Sequence, residues 1–321
     1  MTQPISLEDI KTARERIAAH IQPLRITRSE SLSQRFDRDI LLAHEYLQTT
    51  GAFKLRGAMN AVLQLPPETS GVTAVSTGNH GRGLAYAARQ AGVPCVICMS
   101  KLVPQNKLDG IRALGADTRI VGNSQDEAEV EARRLVDEEG YTMLPPFDHP
   151  HIIAGQGTLG LEMLEAVADV DTILVQLSGG GLISGIALAV KSLKPDVRII
   201  GVSMQRGAAM AASQAAGKPV EVEELPTLAD ALGGGIGLDN QYTFAMVRDY
   251  VDEILLLDED EIAAGIRHAY FNEQAVIEGS GAVCIAALLC GKARPGDRTI
   301  ALMSGRNIDM QLHRKIINEE S

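Results

Sequence analysis

The sequence lacks the features that mark membrane-spanning, secreted and nucleic-acid-binding proteins. A membrane-spanning helix needs about 18 consecutive apolar residues, and no run in this sequence is nearly that long, so we expect no membrane partner. The first ten residues contain no basic region followed by an apolar stretch, which predicts no secretory signal and a cytoplasmic location. The formal net charge is −11, whereas nucleic-acid binding needs a basic surface. We therefore expect no nucleic-acid partner and interpret the charge as favouring solubility.

Cysteine is also scarce. Four cysteines are too few for a disulfide framework in a chain of 321 residues. Cys95 and Cys98 have C-x-x-C spacing, but they lie in an apolar run, residues 93–99, that predicts a buried strand. No second C-x-x-C or H-x-x-x-H completes a zinc site. We interpret both residues as core cysteines in a reducing cytoplasm.

The remaining composition, 45% hydrophobic and 22% charged, is typical of a globular protein with one large or two ordinary domains. From Gly71, apolar β-branched runs alternate with Ala-, Leu-, Arg- and Glu-rich stretches that end near Gly92, Gly115 and Gly140. Glycine suits the left-handed position just past a helix end. The predicted strands are residues 72–76, 94–99 and 118–121, and the predicted helices are residues 83–91, 105–114 and 125–138.

A turn-rich break, residues 145–150, interrupts this alternation, which then resumes. Strands are predicted at residues 172–177, 197–203 and 298–303, helices at 182–194, 259–272 and 279–289, and an apolar stretch lies at 253–257. Strand–helix alternation with short connections predicts βαβ units, parallel sheets and an α/β fold. We predict a large domain (1–68 and 149–321), a small inserted domain (69–148) and a cleft between them.

Three polar, glycine-containing loops follow predicted strands, where open parallel sheets bind ligands. The first is Ser76-Thr77-Gly78-Asn79-His80-Gly81, which is either an anion site at a helix N-terminus or a tight polar turn. The second is Ser178-Gly179-Gly180-Gly181, whose three glycines favour a phosphate-sized ligand over a plain turn. It matches neither the P-loop nor the dinucleotide fingerprint. The third, Ser304-Gly305-Arg306-Asn307, offers a serine hydroxyl at a strand end, or is an ordinary turn.

Lys54 lies between Phe53 and Leu55. Apolar surroundings lower the pKa of an amine, which suits a nucleophile or Schiff-base former. The alternative is a surface lysine on a helix.

In this order, the Lys54 segment, the Ser76 loop, the glycine loop and Ser304-Gly305 resemble the threonine dehydratase and serine racemase branch of the fold-type-II pyridoxal-phosphate (PLP) enzymes. The resemblance covers residues 27–307 and includes Ile153-Ala154-Gly155-Gln156-Gly157-Thr158. The cysteine-synthase branch differs in its lysine context and its Gly-Thr-rich phosphate loop. The implied fold is tryptophan synthase β-like, with two domains that each contain a largely parallel sheet flanked by helices.

The resemblance implies a role for each matching residue and PLP as the cofactor. Lys54 is the Schiff-base lysine, Phe53 packs on the ring, Asn79 meets the ring oxygen and Ser304 the ring nitrogen. The phosphate would be held by Gly179, Gly180, Gly181 and Leu182. The substrate carboxylate would be held by Ser76, Thr77, Asn79 and His80. A small amino acid is the implied substrate and a homodimer the implied assembly.

Several positions depart from the family pattern. Thr77 stands where serine racemase has its second acid/base serine, so it is the second candidate catalytic residue, and its β-branching makes racemisation less favourable. Ser203 and Ala209 replace acids of metal-binding members, so we predict no metal. Ala52 and Ser178 replace a serine and a glycine, and Arg306 adds a charge near the cofactor. The chain ends soon after Asn307, so we expect no regulatory domain.

Within the branch, residues 99–107 and 227–240 look most like the hydroxyectoine-utilisation dehydratases. Opening the hydroxyectoine ring gives a 3-hydroxy-2,4-diaminobutyrate skeleton, whose hydroxyl is β to the amino acid. We therefore predict a PLP-dependent dehydratase of the ammonia-lyase type that acts on a β-hydroxy amino acid. The alternatives are a threonine or serine ammonia-lyase, an amino-acid racemase, and a non-catalytic amino-acid-binding protein with this fold.

Overall fold

The computed structural model describes residues 5–103 and 105–319, and these contain two separate β-sheets. The ten strands are β1 (Ile26–Arg28), β2 (Asp39–Ala43), β3 (Gly71–Val75), β4 (Cys95–Met99), β5 (Asp117–Ile120), β6 (Tyr141–Met143), β7 (Thr172–Gln176), β8 (Arg198–Met204), β9 (Glu253–Leu257) and β10 (Arg298–Leu302). The larger sheet has the order β1-β2-β10-β7-β8-β9, and the smaller has the order β5-β4-β3-β6. Only the β1–β2 pair is antiparallel among the described pairs.

Helices cover both sheets. They are α1 (Leu7–Ile17), α2 (Glu30–Phe36), α3 (Lys54–Val62), α4 (Asn79–Ala91), α5 (Gln105–Arg112), α6 (Gln125–Glu139), α7 (Pro150–Ala166), α8 (Gly181–Leu193), α9 (Ala209–Ala216), α10 (Thr243–Tyr250), α11 (Glu259–Phe271), α12 (Gly279–Leu289) and α13 (Met310–Ile317). Within the described residues, none of these helices is long and apolar enough to cross a membrane.

The apolar runs become strands because parallel sheets are buried on both faces. Every residue of β4 and β7 is buried, which confirms Cys95 and Cys98 as core residues. The predicted helix ends at Gly92 and Gly140 are also confirmed, since these residues directly follow α4 and α6 with φ angles of 70° and 71°, whereas α5 ends at Arg112, before Gly115. The α/β architecture predicted from the alternation is therefore correct. We propose residues 69–148 as the small domain, since β3 to β6 lie within this range.

Backbone-to-backbone packing joins α3, α7 and α8. A Cβ on Gly155 of α7 would lie 2.7 Å from the Arg56 carbonyl oxygen of α3, and one on Gly185 of α8 would lie 2.6 Å from the Gly157 nitrogen. No real side chain fits in either place, so helix axes approach closely at these glycines. The fully buried Arg56 adds an ion pair with Glu45 at 2.6 Å and a second with Glu162 of α7. The three helices therefore form one tightly packed unit.

The structure differs from the sequence prediction mainly in the first 70 residues and around residue 150. No elements were predicted before Gly71, where α1, β1, α2, β2 and α3 lie. The turn-rich break predicted at residues 145–150 ends at His149, because Pro150 is the first residue of α7 and proline is tolerated in a first helical turn. Helix α4 begins at Asn79, four residues before the predicted start, so the polar loop continues directly into a helix.

Candidate functional site

The three glycine-containing loops meet in one cavity of about 440 Å³ between the two sheets. Each loop follows the carboxyl end of a parallel strand, namely β3, β7 and β10. Every residue predicted to contact cofactor or substrate lines this cavity: Phe53, Lys54, Ser76, Thr77, Asn79, His80, Gly179, Gly180, Gly181, Leu182 and Ser304. The structure thus brings together side chains that are up to 251 positions apart in the chain, from Phe53 to Ser304.

Lys54 is the first residue of α3, and the two residues before it are fixed to the loop after β10. The Phe53 nitrogen donates to the Ser304 carbonyl oxygen at 3.0 Å, and Ala52 forms an isolated β-bridge with Gly305. The Lys54 Nζ donates to the Pro146 carbonyl oxygen at 2.6 Å and lies 5.3 Å from the centroid of the Phe53 ring. Burial of the ammonium lowers the Lys54 pKa to about 8. Lys54 is therefore a buried amine in the cavity and not a lysine on the surface of a helix.

The glycine loop forms a narrow cradle between β7 and α8. Gly180 has a φ angle of +90°, and a Cβ there would lie 2.9 Å from both Met210 Cε and Thr243 Cβ. A Cβ on Gly181 would lie 2.8 Å from the Phe147 carbonyl oxygen. The loop has no room for side chains and presents its backbone at the N-terminus of α8, where unpaired N–H groups favour an anion. A phosphate group fits these requirements.

The loop after β3 is also shaped around a helix N-terminus. The Ser76 Oγ accepts hydrogen bonds from the backbone N–H groups of Gly78 at 3.3 Å and Gly81 at 3.1 Å. His80 is buried, and its Nε2 lies 2.8 Å from the Leu144 carbonyl oxygen, so this nitrogen donates and carries the hydrogen of a neutral ring. Burial, with the nearby Lys54 charge, lowers the His80 pKa to about 3. His80 therefore remains neutral at physiological pH.

Asn79 is held by two residues to which we had assigned no role from the sequence, Glu278 and Asn307. The Asn79 Nδ2 donates to Glu278 Oε1 at 2.6 Å, and the Asn307 Nδ2 donates to Asn79 Oδ1 at 2.6 Å. Burial, and then the charge of Asp230, raises the Glu278 pKa to about 7 against the lowering effect of its hydrogen bonds to Asn79 and Asn307. The sequence feature that could have indicated Glu278 is its position directly before the glycine-rich start of α12.

Charged side chains surround the cavity entrance. Lys107 of α5 forms an ion pair with Asp230 at 3.0 Å, linking the region of the smaller sheet to that of the larger. Arg82 and Arg306 also line the cavity, so the charge predicted at Arg306 does lie at the site. Among the residues that the structure describes, no group of three or more His, Cys, Asp or Glu side chains is arranged to hold a metal ion.

Comparison with known proteins gives consistent matches over nearly the whole chain. Residues 17–305 match the family model described as pyridoxal-phosphate dependent enzyme. The chain is 58% identical over 317 residues to the "Putative threonine dehydratase" of Sinorhizobium fredii, covering 98% of this chain and 96% of that protein. It is 40% identical to the L-threonine ammonia-lyase of Thermotoga maritima, covering 98% of this chain and 79% of that protein. The structure of maize serine racemase superposes with a TM-score of 0.92 at 31% identity, covering 99% and 98% of the two chains.

Proposed function

Because this chain belongs to the pyridoxal-phosphate-dependent enzyme family that includes threonine dehydratases and serine racemases, we propose that it dehydrates a β-hydroxy amino acid. The family predicted from the motifs is confirmed, and the chain is a PLP-dependent lyase. The proposed reaction removes the β-hydroxyl and the α-hydrogen as water. Hydrolysis of the resulting enamine then gives a 2-keto acid and ammonia. The observation that carries this proposal is a buried amine, Lys54, in the same cavity as a glycine cradle that suits phosphate.

The residues of the cavity fit the cofactor. The backbone from Gly179 to Leu182 would hold the phosphate, because side chains are excluded at Gly180 and Gly181. Phe53 would pack on one face of the ring and Ser304 would meet the ring nitrogen. When bound, PLP supplies the electron sink that stabilises negative charge on the substrate α-carbon.

The side chains around the cofactor position the substrate and move its protons. With its amine free, Lys54 would act as the base, since its lowered pKa of about 8 keeps a useful fraction unprotonated near neutral pH. The N-terminus of α4 would bind the substrate carboxylate through the hydroxyls of Ser76 and Thr77 and the backbone N–H groups of Asn79 and His80. Ser304 would offer the ring nitrogen a neutral hydroxyl rather than a carboxylate, which would favour prompt loss of a β-leaving group over a build-up of negative charge on the α-carbon.

The finer proposal concerns the substrate. A hydroxyectoine-derived 3-hydroxy-2,4-diaminobutyrate compound has a β-hydroxyl and a second amine, and the carboxyl groups of Asp230 and Glu278 line the cavity as acceptors for that amine. Threonine and serine are the second candidates, threonine because two relatives are named for it and serine because the maize structure is named serine racemase. We further propose that the enzyme acts in the cytoplasm as a homodimer.

One assay tests the reaction and the substrate together. The holoenzyme is incubated separately with L-threonine, L-serine, threo-3-hydroxyaspartate and 3-hydroxy-2,4-diaminobutyrate, and keto acid, ammonia and D-enantiomer are measured. We expect keto acid and ammonia in equal amounts, with the diamino compound giving the highest kcat/KM. A D-amino acid without keto acid would establish a racemase instead. Protein that stays colourless with added PLP would establish a binding protein.

A further inference from the structure

We infer that Asn307 and Glu278 are positioning residues that fix the Asn79 side-chain amide in one orientation, with a free N–H for the ring oxygen of PLP. The inference rests on the proposed placement of Asn79 beside that oxygen. Asn307 and Glu278 would thereby make the site select the ionised form of the ring oxygen.

The orientation follows from a backbone carbonyl at one end of the network. The Thr50 carbonyl oxygen accepts a hydrogen bond at 2.9 Å from the side chain of Asn307, so the contacting atom of Asn307 is its amide nitrogen. The second hydrogen of that nitrogen goes to Asn79 at 2.6 Å, so the contacting atom of Asn79 is its oxygen. The orientations of both side-chain amides therefore follow from which of the contacting atoms can donate and which can accept a hydrogen bond.

Glu278 completes the restraint at the other side of Asn79. Its Oε1 accepts from Asn79 Nδ2 at 2.6 Å, and its Oε2 accepts from the Asn307 backbone N–H at 3.0 Å. The oxygen of Asn79 and one of its two amide hydrogens are then used within the protein. The remaining N–H has no described protein partner, and Asn79 lines the cavity. A residue that offers only a donor stabilises an ionised ring oxygen and gives nothing to a ring without that oxygen.

Two glycines make room for this network, which is independent support for it. A Cβ on Gly51 would lie 2.7 Å from Asn307 Oδ1, and Gly51 has a φ angle of +79°. A Cβ on Gly305 would overlap Glu278 Oε1 and lie 3.3 Å from Asn79 Nδ2. Side chains at these two positions would displace the residues that hold Asn79.

The test compares two ligands on the cofactor-free enzyme: PLP and 3-deoxypyridoxal 5′-phosphate, which lacks the ring oxygen. Dissociation constants are measured by absorbance titration for the wild type, Asn307→Ala, the isosteric Asn307→Asp and Glu278→Gln. We expect each variant to weaken PLP about 10-fold, the effect of losing one well-placed hydrogen bond to a charged group, and to change the deoxy analogue less than about twofold. In the variants, the bound-cofactor absorbance band should also change form at a different pH.

Asn60→Ala is the matched control, since Asn60 is a buried asparagine whose side chain is doubly hydrogen-bonded, to Arg16 and the His151 carbonyl, outside the cavity. It should leave both dissociation constants unchanged. Equal weakening of both ligands in the Asn307 and Glu278 variants would show a merely structural role and overturn the inference. Asn79→Ala separates the proposed placement of Asn79 from the proposed roles of Asn307 and Glu278. If this variant does not discriminate between the ligands, the proposed placement of Asn79 is wrong. If it does and the Asn307 and Glu278 variants do not, only the inference is wrong.

Discussion

Replacing Lys54 with methionine should stabilise the cofactor-free enzyme while abolishing catalysis. A shift of the Lys54 pKa from 10.5 to about 8 corresponds to a penalty of about 3 kcal/mol for holding the ammonium in the folded state. Lys54→Met removes this penalty and also removes the hydrogen bond from Nζ to the Pro146 carbonyl, which is worth about 1 kcal/mol. The expected net gain is about 2 kcal/mol in the free energy of unfolding near neutral pH.

The gain should depend on pH in a defined direction. Below pH 8 the amine is protonated in both the folded and the unfolded state, so the full penalty is present in the wild type. Between about pH 8 and 10.5 the folded state releases its proton first, and wild-type stability rises relative to the variant. At about pH 9.5 the advantage of Lys54→Met should therefore have shrunk by about 2 kcal/mol.

Urea unfolding of both cofactor-free proteins at about pH 7 and about pH 9.5 measures this difference, and Lys191→Met is a control at a lysine outside the cavity. An advantage that is absent at pH 7, or that does not change with pH, would refute the proposal that Lys54 is held as a buried ammonium.

Borohydride reduction of the wild-type holoenzyme should fix PLP on Lys54. An adduct on another lysine would refute the site assignment itself.

Three further outcomes are expected. Gly180→Val should weaken PLP binding at least about 10-fold, because its side chain would meet Met210 and Thr243 and displace the phosphate cradle; an unchanged titration would remove this loop from the site. Treatment with EDTA should leave activity and Tm unchanged, whereas a loss restored by magnesium or calcium would show that other oxygen atoms bind a metal although Ser203 and Ala209 replace the acids of metal-binding members. Thr77→Ser should raise any racemase side activity, and Thr77→Ala should remove it while sparing elimination, measured as D-amino acid against keto acid; mainly D-amino acid from the wild type would contradict the dehydratase.

The parts of the fold that could be predicted are those indicated by the residues of a single chain segment. Strands β4 and β7 are continuous apolar runs because both of their faces are buried, and the helix ends at Gly92 and Gly140 follow from local backbone geometry. Helix α7 was missed because nearly all of its sides are buried, so its apolar residues show no one-sided periodicity. Strand β1, with three residues, is too short for any periodic pattern.

The same distinction holds at the site. The Lys54 segment, the glycine cradle and the Ser76 loop are local motifs, and the structure brings all of them to one cavity. The restraint on Asn79 could not be predicted, because Glu278 is 199 positions away and contacts it only after both sheets have formed. Similarly, the lowered pKa of His80 arises from burial and from the charge of Lys54, which no feature of residues 76–81 indicates.

The glycine contacts among α3, α7 and α8 bear on how the cavity opens. Lys54 is the first residue of α3, and Gly181 is the first residue of α8. Because α7 packs against both through Gly155 and Gly157, the distance between the amine and the phosphate cradle is set within a single rigid body. A tilt of the smaller sheet would leave that distance unchanged and would move Asn79 of α4 instead. We therefore expect the amine and the phosphate cradle to hold PLP through such a motion, while the contact of Asn79 with the ring oxygen is the one that changes.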